Sequence, residues 1–340
     1  MKVKLKPLGS QVVVVLGASS GIGRESAIQL AGRGAKVLVA ARSEPGLISL
    51  VAEIVAHGGE ATYVVCDVAD VEQVRAVAKA AESVYGRIDT WVNVAATSVY
   101  ATFEDTSPEE FARVMEVNYL GQVHGFLAAL PALRRTGGGA LIAVSSVEAR
   151  VSLPLHSAYS ASKHAVEGMV DSLRRELIAE KAPISVTSIK PGTINTPFFN
   201  NALNKMDVKP KGPPPIYQPG VVAGCVVHAA EHPVRDLYAG GGGRQMALSQ
   251  SVNPRQVDAV LGRVGIPAAR TKQPTPGGSA GNLYQPRSED NRSEGDFSRR
   301  ARSFSLYTWS RLHPPAALGL AAGLALVPAA LYRALRTARG

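Results

Sequence analysis

Four consecutive valines, Val12 to Val15, run into a glycine-rich turn, GASSGIG at 17–23, and an amphipathic stretch follows at 24–33. No other feature of the chain constrains the fold so strongly. A fully apolar run of this kind is a strand buried on both faces, and a glycine turn passing straight into a helix is the entry to a βα unit. The basic residues before the run, in MKVKLKPLGSQ, give it a superficial likeness to a secretion signal. An apolar run of only about seven residues lies at the bottom of the range for one, and the strand reading is the better.

The same alternation then repeats. Apolar runs at 36–41, 61–66, 90–94, 140–144 and 184–189 are separated by helical patterns at 46–57, 71–85, 108–135 and 158–181, with a last helix and strand at 219–231 and 236–239. Strand and helix in alternation with short turns imply an α/β fold, a single doubly wound Rossmann-type parallel sheet with helices on both faces. Such a sheet takes its ligands at the carboxyl ends of the strands. The expected organisation is one domain over 1–264, a Pro-, Gly- and Arg-rich linker at 265–313, and a hydrophobic C-terminal segment at 314–340. Residues 197–219, rich in Pro, Lys and Asn, break the alternation as a flap or a disordered insert.

Composition narrows the class. Thirty-three glycines without a three-residue period, two cysteines and 46% apolar residues exclude collagen, a disulfide-stapled miniature domain and a wholly disordered chain. The net charge of +10 belongs to the tail: residues 244–340 carry 14 Lys and Arg against 5 Asp and Glu, while the rest is nearly neutral. That tail has neither zinc-finger spacing nor an aromatic RNA-binding signature, so nucleic acid is not an expected partner. Cys66 and Cys225, far apart and outside any C-x-x-C, read as reduced thiols of a cytoplasmic protein. The 17 apolar residues at 316–332, with arginines on both sides, read as a membrane anchor or interfacial helix rather than a packing helix.

Three places carry chemistry. The turn brings Gly17, Ser19, Ser20, Gly21, Ile22 and Gly23 to a helix amino end, where backbone N–H groups can face a phosphate. The second strand ends in Ala41-Arg42-Ser43: no acid is present for a ribose 2′-hydroxyl, and the Arg42 fork suits a 2′-phosphate, which favours NADP(H). Asp67, at the end of the third strand before Val68, can accept from an adenine amino group or cap the next helix. Tyr159 and Lys163 stand one helical turn apart. A neighbouring ammonium lowers a phenol's pKa and makes it usable as an acid and base, with a hydroxyl from Ser145 or Ser146 holding a carbonyl beside it. The plain alternative is an amphipathic helix face with a snorkelling Lys.

In this order and spacing the residues resemble the short-chain dehydrogenases/reductases over roughly 8–243, as a longer bacterial-type member with a hydrophobic extension. The family's T-G-x-x-x-G-x-G is present as Leu16 to Gly23, its N-N-A-G turn as Asn93 to Ala96, and its P-G-x-x-x-T as Pro191, Gly192, Ile194 and Thr196. Its catalytic Asn corresponds to Asn118, and its Ser, thirteen residues before the Tyr, to Ser146. The resemblance implies that Tyr159 exchanges the substrate proton, Ser146 orients the oxygen, Lys163 lowers the phenol pKa and holds the ribose, and Asn118 fixes a water. It also implies cofactor contacts from Gly17, Ser19, Ser20, Gly21, Ile22, Gly23, Arg42, Asp67, Val68, Asn93, Tyr159, Lys163, Pro191, Gly192, Ile194 and Thr196, no metal, and a homodimer or homotetramer. Leu16, Val94 and Ala96 depart from the family's pattern and lose hydrogen bonds that steady the cofactor loop.

The expected activity is NADP(H)-dependent interconversion of a carbonyl and an alcohol. Phe198, Phe199, Ile216 and Tyr217 in the flap, with the apolar tail, point to a lipophilic substrate. A non-catalytic NADP(H)-binding scaffold or redox sensor recruited to a membrane is the competing expectation.

Overall fold

The computed structural model describes residues 3–317. Seven parallel strands make one sheet: β1 (Val12–Leu16), β2 (Lys36–Ala41), β3 (Glu60–Val65), β4 (Thr90–Asn93), β5 (Gly139–Val144), β6 (Ile184–Pro191) and β7 (Asp236–Ala239). Their order across the sheet is β7-β6-β5-β4-β1-β2-β3. The order reverses between β1 and β4, so the loops after these two strands diverge and open a crevice at their carboxyl ends.

Burial on both faces explains the valine run. Val13 and Val15 pack into one core layer, under α1 (Gly21–Gly32), α2 (Glu44–Ala56) and α7 (Pro219–Glu231); Val14 and Leu16 pack into the other, under α3 (Val71–Tyr85), α5 (Gly121–Arg135) and α6 (Ser157–Ala179). Burying each such side chain contributes roughly 1.5–3 kcal/mol. Caps fix where the helices begin: Ser43 accepts from Gly46 N–H at α2, and Asp70 from Glu72 and Gln73 N–H at α3. The cap of α3 is therefore Asp70, and Asp67 is free of the capping role considered for it. Cys66 and Cys225 are free and buried, and burial pushes both thiols up to about 12, which leaves them inert at neutral pH.

The helical stretch at 108–135 is two helices, α4 (Pro108–Met115) and α5, joined by a π-helical turn over Glu116–Leu120 that contains Asn118. The flap is folded, with Ile216 and Tyr217 buried and Tyr217 in the main core.

The segment expected as a linker is folded onto the domain. The boundary expected at 264 falls inside α9 (Pro254–Ala269), which follows α8 (Gly241–Val252). Arg270–Pro274 pairs antiparallel with Val208–Pro210, Leu283 is fully buried against Val99, Ala101, Val114 and Ala158, and α10 (Leu306–Leu312) packs near β7, where Thr308 Oγ1 accepts from Gly240 N–H at 2.9 Å. Composition misled because polar side chains here satisfy partners across the fold instead of solvent. Among the described residues no helix is long and apolar enough to cross a membrane. The anchor expected at 316–332 lies, apart from its first two residues, outside the described residues.

Candidate active site

One cavity of about 480 Å³ runs along the carboxyl edge of the sheet from Arg42 and Asp67, past the glycine turn, to Tyr159 and Lys163. Of the expected residues, Gly17, Ser19, Ser20, Gly21, Ile22, Arg42, Asp67, Val68, Ser146, Tyr159, Lys163, Pro191, Gly192, Ile194 and Thr196 line it. Gly23, Asn93 and Asn118 do not.

The glycine turn is a matter of close approach. Gly17 has φ +85°, and a Cβ there would lie 2.4 Å from the backbone nitrogen of Ala95; at Gly23 a Cβ would lie 2.1 Å from the Gly17 carbonyl oxygen. Gly23 thus packs the helix on the turn, while Ser20, Gly21 and Ile22, at the start of α1 where N–H groups lack intrahelical acceptors, line the cavity, the Gly21 N–H donating to the Arg292 carbonyl at 2.9 Å. This edge, with a cationic Arg42 at one end, fits the phosphates of a dinucleotide.

Asn93 holds the scaffold rather than a ligand. Its Oδ1 accepts from Trp91 Nε1 at 2.9 Å and its Nδ2 donates to the Gln122 carbonyl at 3.0 Å. Asp67 accepts from Ala69 N–H at 3.0 Å and pairs with Arg113 Nη2 at 2.7 Å. Burial alone would raise its carboxyl, but these two partners and Arg42 hold it below the usual range.

At the other end Ser146 ends β5's loop in an extended conformation, and its Oγ accepts from Glu148 N–H at 3.1 Å. That bond leaves the Ser146 hydroxyl proton free to be donated, and the Ser146 side chain acts to lower the Tyr159 phenol. Geometry separates the two serines, since Ser145 Oγ is buried without a partner among the described residues. Lys163 is buried, donates from Nζ to the Val144 carbonyl at 3.0 Å, and stands 5.5 Å over the Tyr159 ring. Asn118 accepts from Thr97 N–H at 2.8 Å and donates to Ser162 Oγ at 3.0 Å, so the π-helical turn ties β4's loop to α6, the helix carrying the Tyr and Lys.

The phenol's environment sets opposing influences against one another. Burial pushes Tyr159 well above its ordinary value, Glu148 pushes it further, and only the Ser146 bond acts downward. Lys163 is itself lowered to about 8, burial outweighing the Glu167 and Glu148 charges. The Lys163 ammonium thus donates to a carbonyl while standing beside the phenol, in a dry site that penalises every charge.

A carboxylate–imidazole pair was missed in the sequence. His156 Nδ1 meets Glu148 Oε1 at 3.0 Å, Glu148 Oε2 accepts from Ser160 Oγ at 2.8 Å, and His156 Nε2 meets Ser98 Oγ at 2.7 Å. The imidazole lies tilted against Tyr100, ring centres 4.1 Å apart, and 4.9 Å from the Tyr159 ring. The one available signal was His156 standing three residues before Tyr159. Around this pair the cavity wall is apolar: Val151, Leu153, Phe198, Met246, Leu261 and Val264. Phe198 and Phe199 line it as expected of the flap, whereas Ile216 and Tyr217 belong to the core.

A parallel sheet ordered about a β1/β4 crevice, a glycine turn and a Ser, Tyr and Lys in one cavity define a nucleotide-binding α/β oxidoreductase. The sequence model described as short chain dehydrogenase matches residues 11–207, and the chain belongs to that family. It is 37% identical over 325 residues to the uncharacterized oxidoreductase YxnA of Bacillus subtilis, covering 95% of this chain and 91% of that one. It is 40% identical over 198 residues to the bovine (Bos taurus) dehydrogenase/reductase SDR family member 7B, covering 56% of this chain and 60% of that one. An alcohol dehydrogenase from the archaeon Thermococcus sibiricus, complexed with 5-hydroxy-NADP, matches with a TM-score of 0.58 and 27% identity, over 67% of this chain and 95% of its own. An actinorhodin polyketide ketoreductase variant with NADPH gives 0.61 and 29%, over 69% and 97%. About a third of the present chain thus lies beyond these two structures.

Proposed function

We propose that the chain is an NADP(H)-dependent reductase or dehydrogenase interconverting a carbonyl and a primary or secondary alcohol on an apolar small molecule. The observation that carries this reading is the convergence of Ser146, Tyr159 and Lys163 on the same cavity as the glycine turn and Arg42. The nucleotides in the two structural relatives support the cofactor class; Arg42, with no acid beside it at the end of β2, supports the 2′-phosphate form. The apolar wall around the Tyr supports a lipophilic substrate.

A nicotinamide bound at this end supplies the hydride in reduction and takes it up in oxidation. The protein's part is position and proton. The Ser146 hydroxyl, its oxygen engaged by Glu148 N–H, donates to the substrate oxygen; the Tyr159 phenol gives that oxygen its proton as the C–O bond becomes an alcohol, and takes it back in reverse. The Lys163 ammonium offsets the phenolate charge left behind. Walls of Val151, Phe198 and Leu261 exclude water from the reacting carbon.

The test is NADPH consumption by the purified chain over ketones and aldehydes from small polar to long-chain and polycyclic, with Tyr159→Phe alongside. Turnover of an apolar carbonyl that vanishes in the Phe variant is the expected result. Tight NADPH binding without turnover of any carbonyl or alcohol would return the chain to the scaffold reading.

A further inference from the structure

The cavity's outer wall comes from the region beyond the family match. Asn282, Pro286 and Arg287 line it opposite Ser19, Gly21 and Arg42. We propose that residues 282–297 form a strap that closes the cofactor chamber, adds Asn282 and Arg287 to it, and must lift for a dinucleotide to enter or leave. The proposal rests on the cofactor reading above.

Contacts tie the strap to both ends of the groove. At the Arg42 end, the Asn282 and Tyr284 carbonyls accept from Arg42 Nη2 and Nη1, Asn282 Oδ1 accepts from Thr97 Oγ1 at 2.9 Å, and the Leu283 carbonyl accepts from Arg113 Nε at 3.1 Å. Over the glycine turn, the Arg292 carbonyl accepts from Gly21 N–H at 2.9 Å and Asn291 Oδ1 meets Ser43 Oγ at 3.3 Å. At the Thr196 end, Gly295 N–H donates to the Asn195 carbonyl at 3.1 Å and Phe297 N–H to Asn195 Oδ1 at 2.8 Å. Two side chains anchor it, Leu283 in the Val99 cluster and Phe297 edge-on to Phe199. Arg287 reaches inward, donating from Nη1 to the Asn200 carbonyl at 3.1 Å.

The cavity persists beneath the closed strap, and only the strap's bonds to Gly21 N–H and Arg42 would have to be exchanged for a ligand's. Leu283, Phe297, the hydrogen bonds above, the ion pair of Asp296 with Lys209 and the bond from Asn200 Nδ2 to Asp290 at 2.7 Å are among the ties that must part, and none of them belongs to the hydrogen-bond ladder of the sheet. A ligand held under such a cover leaves no faster than the cover lifts.

The experiment is stopped-flow release of NADPH, followed by its fluorescence, from the wild-type chain and from Leu283→Ala and Phe297→Ala, together with amide hydrogen exchange across 282–297 with and without NADPH. Slower exchange in the strap on binding, and release at least tenfold faster in the variants, are expected. Release within twofold of wild type in both variants overturns the strap. So does tighter binding in the variants, since the strap's hold on Gly21 N–H and Arg42 would then outweigh its closure over the ligand. Should the variants fail to fold, exchange across 282–297 that NADPH leaves unchanged in the wild type overturns it equally. A wild-type chain that takes up no dinucleotide instead overturns the cofactor reading, and the strap falls with it.

Discussion

The sheet from β1 to β6 and the segment from 270 to 312 are held together by different physics. In the sheet, apolar side chains repeat with the period of their element, and neighbours in sequence become neighbours in space. In the C-terminal segment a fully buried leucine, a phenylalanine edge and bonds such as Arg42 to Asn282, 240 residues apart in sequence, replace any period. The sheet sets where the chemistry is; the segment decides what reaches it.

The largest expected effect breaks the chemistry and leaves both regions standing. Tyr159→Phe should lower kcat by about 10²–10⁴-fold, the usual share of a general acid, with NADPH affinity retained by fluorescence titration. Next comes the sheet itself. Lys190 on β6 is buried between Glu167 at 2.9 Å and Asp236 on β7 at 2.6 Å. Lys190→Met removes the buried cation between two carboxylates that keep, among the described residues, only the partly exposed Arg235 and Arg150, and should cost up to about 3–5 kcal/mol in urea unfolding, against an effect confined to the strap for Phe297→Ala. Burial alone would raise the Asp236 carboxyl, but Lys190 and the nearby arginines hold it below its ordinary value. Its contribution to stability is therefore present above the unfolded value, near 3.8, and is lost as pH falls through the lower folded one.

Arg42→Ala tests the joint between the two regions. NADPH affinity should fall about tenfold or more, since a charge-assisted hydrogen bond is worth about 1.5–3 kcal/mol, while NADH affinity should fall less. An equal loss for both would mean that Arg42 serves the strap alone. The smallest effect is a shift of pH. Glu148 raises both Tyr159 and Lys163. Glu148→Gln should therefore move the alkaline limb of kcat/KM, set in the free enzyme by Lys163 losing its proton near 8, to lower pH.

How much was legible follows the same divide. All seven strands, the glycine turn and the Tyr159/Lys163 pair stand in the sequence because a local period or spacing causes each. That the Asn93 amide is held by its neighbour Trp91 and by the Gln122 carbonyl, a helix away, is announced by nothing near it in sequence. Glu148 and His156 come together only when a short 3₁₀ turn folds back on the start of α6. The strap was hidden most completely, because a Pro-, Gly- and Arg-rich stretch has the composition of a linker whether or not its polar groups find partners.

The strap also has a consequence for the order of events in synthesis. A ribosome makes the glycine turn, the sheet and the Tyr and Lys well before residues 282–297, and N-terminal units fold first. The nascent protein therefore passes through a stage in which the groove exists with one side open to water, and a dinucleotide can settle into it before the last wall is made.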